Sequence, residues 1–90
     1  MQAQVGYSVY VVKCSDDTLY TGITKNINRR LLEHNTSLRG AKYTRSRRPV
    51  TLVYLEYFGT RSQAAKEEAR IKKLSKKQKI KLISNYVNKS

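Results

Sequence analysis

One cysteine, one proline, one histidine, four glycines and no tryptophan occur in this 90-residue chain, and each shortage removes a class of protein. The lone Cys14 cannot form an internal disulfide, and with a single histidine it cannot build a cysteine-rich zinc site. Gly6, Gly22, Gly40 and Gly59 never cluster, so no glycine-rich phosphate loop is present. No run approaches the roughly 18 uninterrupted apolar residues of a membrane span, and the N-terminus lacks the basic patch and apolar block of a secretory signal. An intracellular protein with no membrane partner is expected. Acids are also scarce, at six Asp and Glu. Two of these, Asp16 and Asp17, fall in turn chemistry, which leaves a Ser/His/Asp hydrolase without its buried orienting carboxylate.

What is present is apolar enough to fold: 39% hydrophobic residues and seven Tyr exceed what a disordered tail carries. At this length one domain fits and two do not, so residues 1–90 are read as a single unit with a core over about 7–83 and a frayed basic C-terminus. The net charge is +13, and it is zoned. Residues 1–24 and 50–69 each sum to −1, whereas 25–49 sum to +7 and 70–90 to +8. Self-repulsion of that size is relieved by a polyanion, and counterion release makes nucleic acid the first candidate. Solvated lysine faces on a soluble protein are the plain alternative. An anionic membrane ranks low, because neither basic block has the bulky apolar opposite face of an interfacial helix.

Tyr7 to Cys14 alternates β-branched and aromatic residues and predicts a strand, with Val9 and Val11 on one side and Tyr10 and Val12 on the other. Ser15 to Thr18 is a turn and Leu19 to Ile23 a second strand, which closes a β-hairpin. Val50 to Phe58 is a third strand, apolar on both faces near its middle, as for a strand flanked by others or covered by helices. Asn26 precedes an amphipathic helix over Ile27 to Asn35, whose sector of Ile27, Arg30, Leu31 and His34 opposes Arg29 and Glu33. Thr36 to Pro49 is expected to be a long basic loop. Thr60 with Gln63 and Ser75 with Gln78 are capping-box spacings, so helices are predicted from about 61 to 74 and from about 76 to a frayed end after Asn85. The fold class is α+β, a three-stranded antiparallel sheet flanked by helices.

The reactive inventory is small: Tyr10, Tyr20, Arg30, His34, Glu67 and Glu68. Its order is specific. Ser8-Val9-Tyr10, Tyr20-Thr21-Gly22, Arg30 ten residues and His34 fourteen residues after Tyr20, and Glu68 before Ile71-Lys72 together resemble the GIY-YIG nuclease family. Gly40 to Arg45 and the run from Pro49 to Tyr54 resemble its small standalone branch, so the likeness spans roughly residues 7–83. Ser8 stands where the family name has Gly, and Thr21 where it has Ile.

The resemblance implies hydrolysis of DNA phosphodiesters with one divalent metal, magnesium or manganese, and no small-molecule cofactor. It implies that Tyr10, Tyr20, Arg30, His34 and Glu68 converge as the catalytic set, with Glu68 the metal ligand. The residue types suit those roles. A carboxylate is a hard oxygen ligand for magnesium, and the Arg fork fits phosphate. A phenol with a free pKa near about 10 accepts a proton only where cations favour phenolate. Which tyrosine is the base stays open. Many members carry a late asparagine supporting the metal carboxylate, and none stands at a matching distance after Glu68, so Asn85 is left unassigned.

Without the resemblance, the tyrosines read as packing, Arg30 as a solvated charge like Arg29, and His34 as a helix C-terminal charge partner. Glu67 and Glu68 face 100° apart, and helix periodicity does not choose between them. For nucleic acid, Lys42, Tyr43, Arg45, Arg47 and Arg48 place basic residues beside an aromatic, as a backbone and an unstacked base require. Lys72 and Lys76 open a lysine cluster that would add affinity without reading sequence. The expected partner is DNA, selected by structure rather than base sequence since no appended domain reads bases; whether branched, flapped or single-stranded stays open. Two other readings remain: a non-catalytic nucleic-acid-binding module on the same fold, and an RNA- or ribosome-associated basic protein supported by charge alone.

Overall fold

The computed structural model describes residues 6–36 and 39–89. Three strands, β1 (Tyr7–Lys13), β2 (Leu19–Thr24) and β3 (Thr51–Phe58), form one antiparallel sheet in the order β2-β1-β3. Four helices complete it: α1 (Ile27–Thr36), α2 (Lys42–Arg45), α3 (Arg61–Lys72) and α4 (Lys76–Lys89). The central strand is the one with the unbroken apolar run. β1 buries Ser8 through Val12, since both its edges are paired and both its faces covered.

The two faces of β1 divide the core as alternation requires. Val9 and Val11 pack with Tyr54, Ala64 and Ile71 beneath α3 and α4. Tyr10, Val12 and Cys14 pack with Ile27 and Val50 on the α1 side. Truncating a filled position such as Ile71, which is fully buried, would cost about 2–5 kcal/mol.

The helix starts follow the expected chemistry. Asn26 Oδ1 accepts from Arg29 N at 3.0 Å and Thr60 Oγ1 from Gln63 N at 3.2 Å. Ser75 and Gln78 make a reciprocal capping box, at 2.9 and 3.2 Å. β3 is an edge strand, and of the two readings its apolar middle allowed, cover by helices is the one found, with α4 on one face and the α1-side core on the other. Two expectations need correction. The C-terminal helix does not end at Asn85 but runs to Lys89, with Tyr86 stacked obliquely on Tyr54 at 5.5 Å between ring centroids. The expected long loop contains α2, one short turn that sequence periodicity is too brief to show. Residues 37 and 38 of that loop lie outside the described residues.

A turn of polar groups ties this loop down. Asn35 accepts from Val50 N at 2.7 Å and donates to Val50 O at 3.1 Å, so its amide pairs with the backbone as a strand would. Arg48 donates to the carbonyls of His34 and Glu33, the open C-terminal end of α1. Gly40 lets the chain come close enough for this, because a Cβ there would lie 2.7 Å from Glu33 O.

Candidate active site

Tyr10 leaves the central strand on the α1 side and lies across β2 at Gly22, its register partner. A Cβ on Gly22 would sit 2.6 Å from the Tyr10 hydroxyl and 2.8 Å from Cζ, so only glycine lets the phenol cross the strand there. Its hydroxyl meets His34 Nε2 at 2.8 Å, and the two rings stand edge to face. His34 Nδ1 in turn meets Thr44 Oγ1 at 2.9 Å. Tyr20 packs against the same imidazole, with centroids 5.4 Å apart, and lies 6.4 Å from the Tyr10 ring. Thus β1, β2, α1 and α2 each contribute one member of a single cluster.

Arg30, one turn before His34, lies near enough to the Tyr10 hydroxyl for its charge to act on the phenol, and it is aimed by Glu33 Oε1 at 3.0 Å and Arg39 O at 2.7 Å. The guanidinium is therefore held rather than solvated. Burial dominates the titration of the two central groups. It pushes the Tyr10 phenol up to about 12, against the pull of Arg30 and with added push from Tyr20 and Glu68. It pushes His34 down to about 4, helped by the positive charges of Arg30 and Arg48 and opposed by Glu33. At neutral pH both groups are uncharged.

Glu68 lies on α3, which packs on β1 and β2, and its charge is felt at the Tyr10 hydroxyl. Its carboxylate also meets Lys72 Nζ at 3.2 Å. Glu67 points elsewhere: Arg70 grips it at 2.6 and 2.8 Å, next to Tyr54, whose hydroxyl donates to Glu56 at 2.6 Å. Of the two carboxylates, Glu68 is the one whose charge reaches the Tyr10 phenol, whereas Glu67 is engaged by Arg70.

Among the described residues no group of three or more His, Cys, Asp and Glu gathers to cage a metal. One carboxylate beside phenols is a poor zinc site but suits magnesium, which keeps most of its waters and takes one or two carboxylates plus substrate phosphate. Asn85 is remote from this donor set, lining instead a groove with Tyr54, Glu56, Arg70 and Tyr86.

The basic residues sort into two kinds. Lys42 and Arg45 are exposed on α2. Arg47 stacks 4.0 Å over the Tyr43 ring while donating to Asp16 at 3.1 Å and to Tyr43 O at 2.8 Å. The other neighbour of Tyr43 is Tyr20, stacked at 6.0 Å and 24°. Tyr43 therefore contacts both the Arg47 guanidinium and the Tyr20 ring, and it braces Tyr20 while staying exposed. Arg48 is spent on the end of α1, as above. Lys72 pairs with Glu68, and Lys76 is exposed at the start of α4 beside Leu19. Thr44 and Asn35 are the structural partners that sequence reasoning passed over, whereas Gly22 was read in the second motif without its packing role. Thr44 lay within a quoted motif, yet nothing in its spacing marked the histidine as its target.

Comparison with known proteins follows the same residues. A family model described as the GIY-YIG catalytic domain matches residues 6–81. A UPF0213 protein of Desulfotalea psychrophila is 60% identical over 75 residues, covering 83% of this chain and 68% of that protein. One from Syntrophus aciditrophicus is 57% identical over 75 residues, covering 83% and 86%. The solution structure of a protein from E. faecalis is similar, with a TM-score of 0.63 at 42% identity over 97% of this chain and 93% of that one. That of a UPF0213 protein from Bacillus halodurans gives 0.57 at 40% over 87% and 82%. Fold, spacing and clustered side chains thus agree along most of the chain, which belongs to the GIY-YIG family.

Proposed function

We propose that this protein is a divalent-metal-dependent DNA endonuclease that hydrolyses phosphodiester bonds by substrate shape rather than base sequence. The observation that carries the reading is the hydrogen bond between Tyr10 and His34, with Tyr20 packed on the same imidazole and the charges of Arg30 and Glu68 acting on the phenol. Glu68 would hold the ion, which when bound neutralises phosphate charge and polarises the phosphorus. Arg30, permanently charged and already aimed, binds a phosphate oxygen.

Tyr10 handles the proton. A free phenolate is disfavoured by burial, so a water attacking phosphorus gives its proton to the Tyr10 oxygen as the Tyr10 hydroxyl proton passes to His34 Nε2. A new P–O bond forms, the bond to the leaving oxygen breaks, the leaving oxygen takes a proton from solvent, and His34, whose burial disfavours the imidazolium, returns its extra proton to solvent. The relay needs Nε2 without a proton of its own. Tyr20, packed between His34 and Tyr43, orients the imidazole and narrows the approach.

Exposed Lys42 and Arg45, with the α4 lysines, supply sequence-independent affinity. The test is single-turnover cleavage of duplex, flapped, branched and single-stranded DNA with magnesium or manganese, against an EDTA control. Cleavage that requires the ion and depends on substrate structure supports the reading. One observation favours the non-catalytic module instead: Lys72 already neutralises Glu68, while Asn85 lines the separate groove beside Tyr54 and Glu56. Retardation of every substrate without cleavage would make that second reading the better one.

A further inference from the structure

The relay depends on which nitrogen of His34 carries the proton, and the surroundings of Thr44 decide it. Thr44 is fully buried, with its hydroxyl 2.9 Å from His34 Nδ1 and 2.9 Å from the carbonyl of Ala41. A hydroxyl has one proton, and a carbonyl can only accept. The proton goes to Ala41 O, because otherwise two oxygens 2.9 Å apart would face each other with none between them. A lone pair of Thr44 then faces Nδ1, which must carry the ring proton. A neutral imidazole has only one, so Nε2 is left to accept from Tyr10 at 2.8 Å.

We propose that Thr44 is a positioning residue that fixes His34 in the Nδ1–H tautomer and so turns the Tyr10 hydroxyl proton onto Nε2. The phenol oxygen then presents lone pairs to Arg30 and to the incoming water, and never donates to the phosphate. Its catalytic consequence rests on the nuclease reading; the tautomer does not. The chain of donors runs from Tyr10 through His34 and Thr44 to the Ala41 backbone, which places the brief α2 helix in control of a proton on the central strand.

A single histidine makes the measurement direct. Protein labelled with 15N-histidine is examined by NMR at neutral pH, alongside Thr44→Val, which keeps the shape without the hydroxyl, and Thr44→Ser, which keeps the hydroxyl. The expected result is a protonated, pyrrole-type Nδ1 and a bare, pyridine-type Nε2 in the wild type and in Thr44→Ser. Thr44→Val should lose that bias, and its single-turnover rate should fall by roughly 10- to 100-fold, the scale of a lost outer partner to an imidazole. DNA affinity in EDTA should stay unchanged, and Thr44→Ser should restore the rate. A wild type with its proton on Nε2 overturns the proposal whether or not any variant folds. So does a folded Thr44→Val that keeps the Nδ1–H ring. A wild type that cleaves nothing but shows the Nδ1–H ring overturns the nuclease reading and still supports the assignment of Thr44.

Discussion

Burial holds Tyr10 and His34 neutral, and each neutral group is satisfied by the other, so changes at these residues act on stability as well as on chemistry. Protonated His34 is disfavoured in the fold, its pKa falling from 6.5 to about 4. The unfolded chain therefore binds the proton first as pH drops, and folding stability is lost between about 6.5 and 4. Melting temperatures over that window should fall more steeply for the wild type than for His34→Gln; parallel curves would show that His34 is not buried neutral. Tyr10→Phe removes the hydroxyl but strands a buried acceptor, Nε2, so it should cost about 1–3 kcal/mol besides a rate loss of roughly 10² to 10⁴. Chemical denaturation and single-turnover cleavage separate the two effects. Ser8 offers the opposite case. Its fully buried Oγ has no hydrogen-bond partner. Ser8→Ala should stabilise by about 1 kcal/mol, read as a melting temperature higher by about 4–8 °C.

Elements decide which basic residues are available to a ligand. In sequence, Arg45, Arg47 and Arg48 form one basic loop. In the fold, Arg45 is exposed, Arg47 braces Tyr43 against Asp16, and Arg48 closes the carbonyl end of α1. Arg48→Ala and Asn35→Ala should therefore each destabilise by about 1–3 kcal/mol, since both leave partly buried backbone groups without partners. Equal denaturation midpoints for Arg48→Ala and wild type would contradict the capping role. The strands, the hairpin and three helix starts were legible because each carries local chemistry: β-branched alternation, turn residues, and capping boxes at Thr60 and Ser75. Tyr10, Tyr20, Arg30 and His34 were legible as candidates through their spacing. Glu68 was chosen over Glu67 by the resemblance and not by periodicity. The α2 turn with its Thr44 and the Asn35 clamp were not legible, because neither periodicity nor propensity encodes where a buried hydroxyl or amide finds its distant partner.

At the scale of the whole molecule, every one of the six acids meets a partner: Asp16, Asp17, Glu33, Glu67 and Glu68 in ion pairs and Glu56 with Tyr54. The net +13 is thus carried by exposed lysines and arginines such as Lys42, Arg45, Lys76 and Lys77. If Lys42 and Arg45 neutralise phosphates, replacing both with Ala should make the plot of log affinity against log salt shallower by about 0.9 per contact on duplex, alike for every sequence. An unchanged slope would move the interface to α4. If this charge delivers DNA to a site whose metal carboxylate is Glu68, nicking of a supercoiled plasmid reads it out. Wild type should nick in magnesium and not in EDTA. Glu68→Gln should bind the plasmid in EDTA as tightly as wild type yet leave it intact in magnesium, while Glu67→Gln still nicks. Nicking by Glu68→Gln at the wild-type rate, or loss of it in Glu67→Gln alone, would contradict the account.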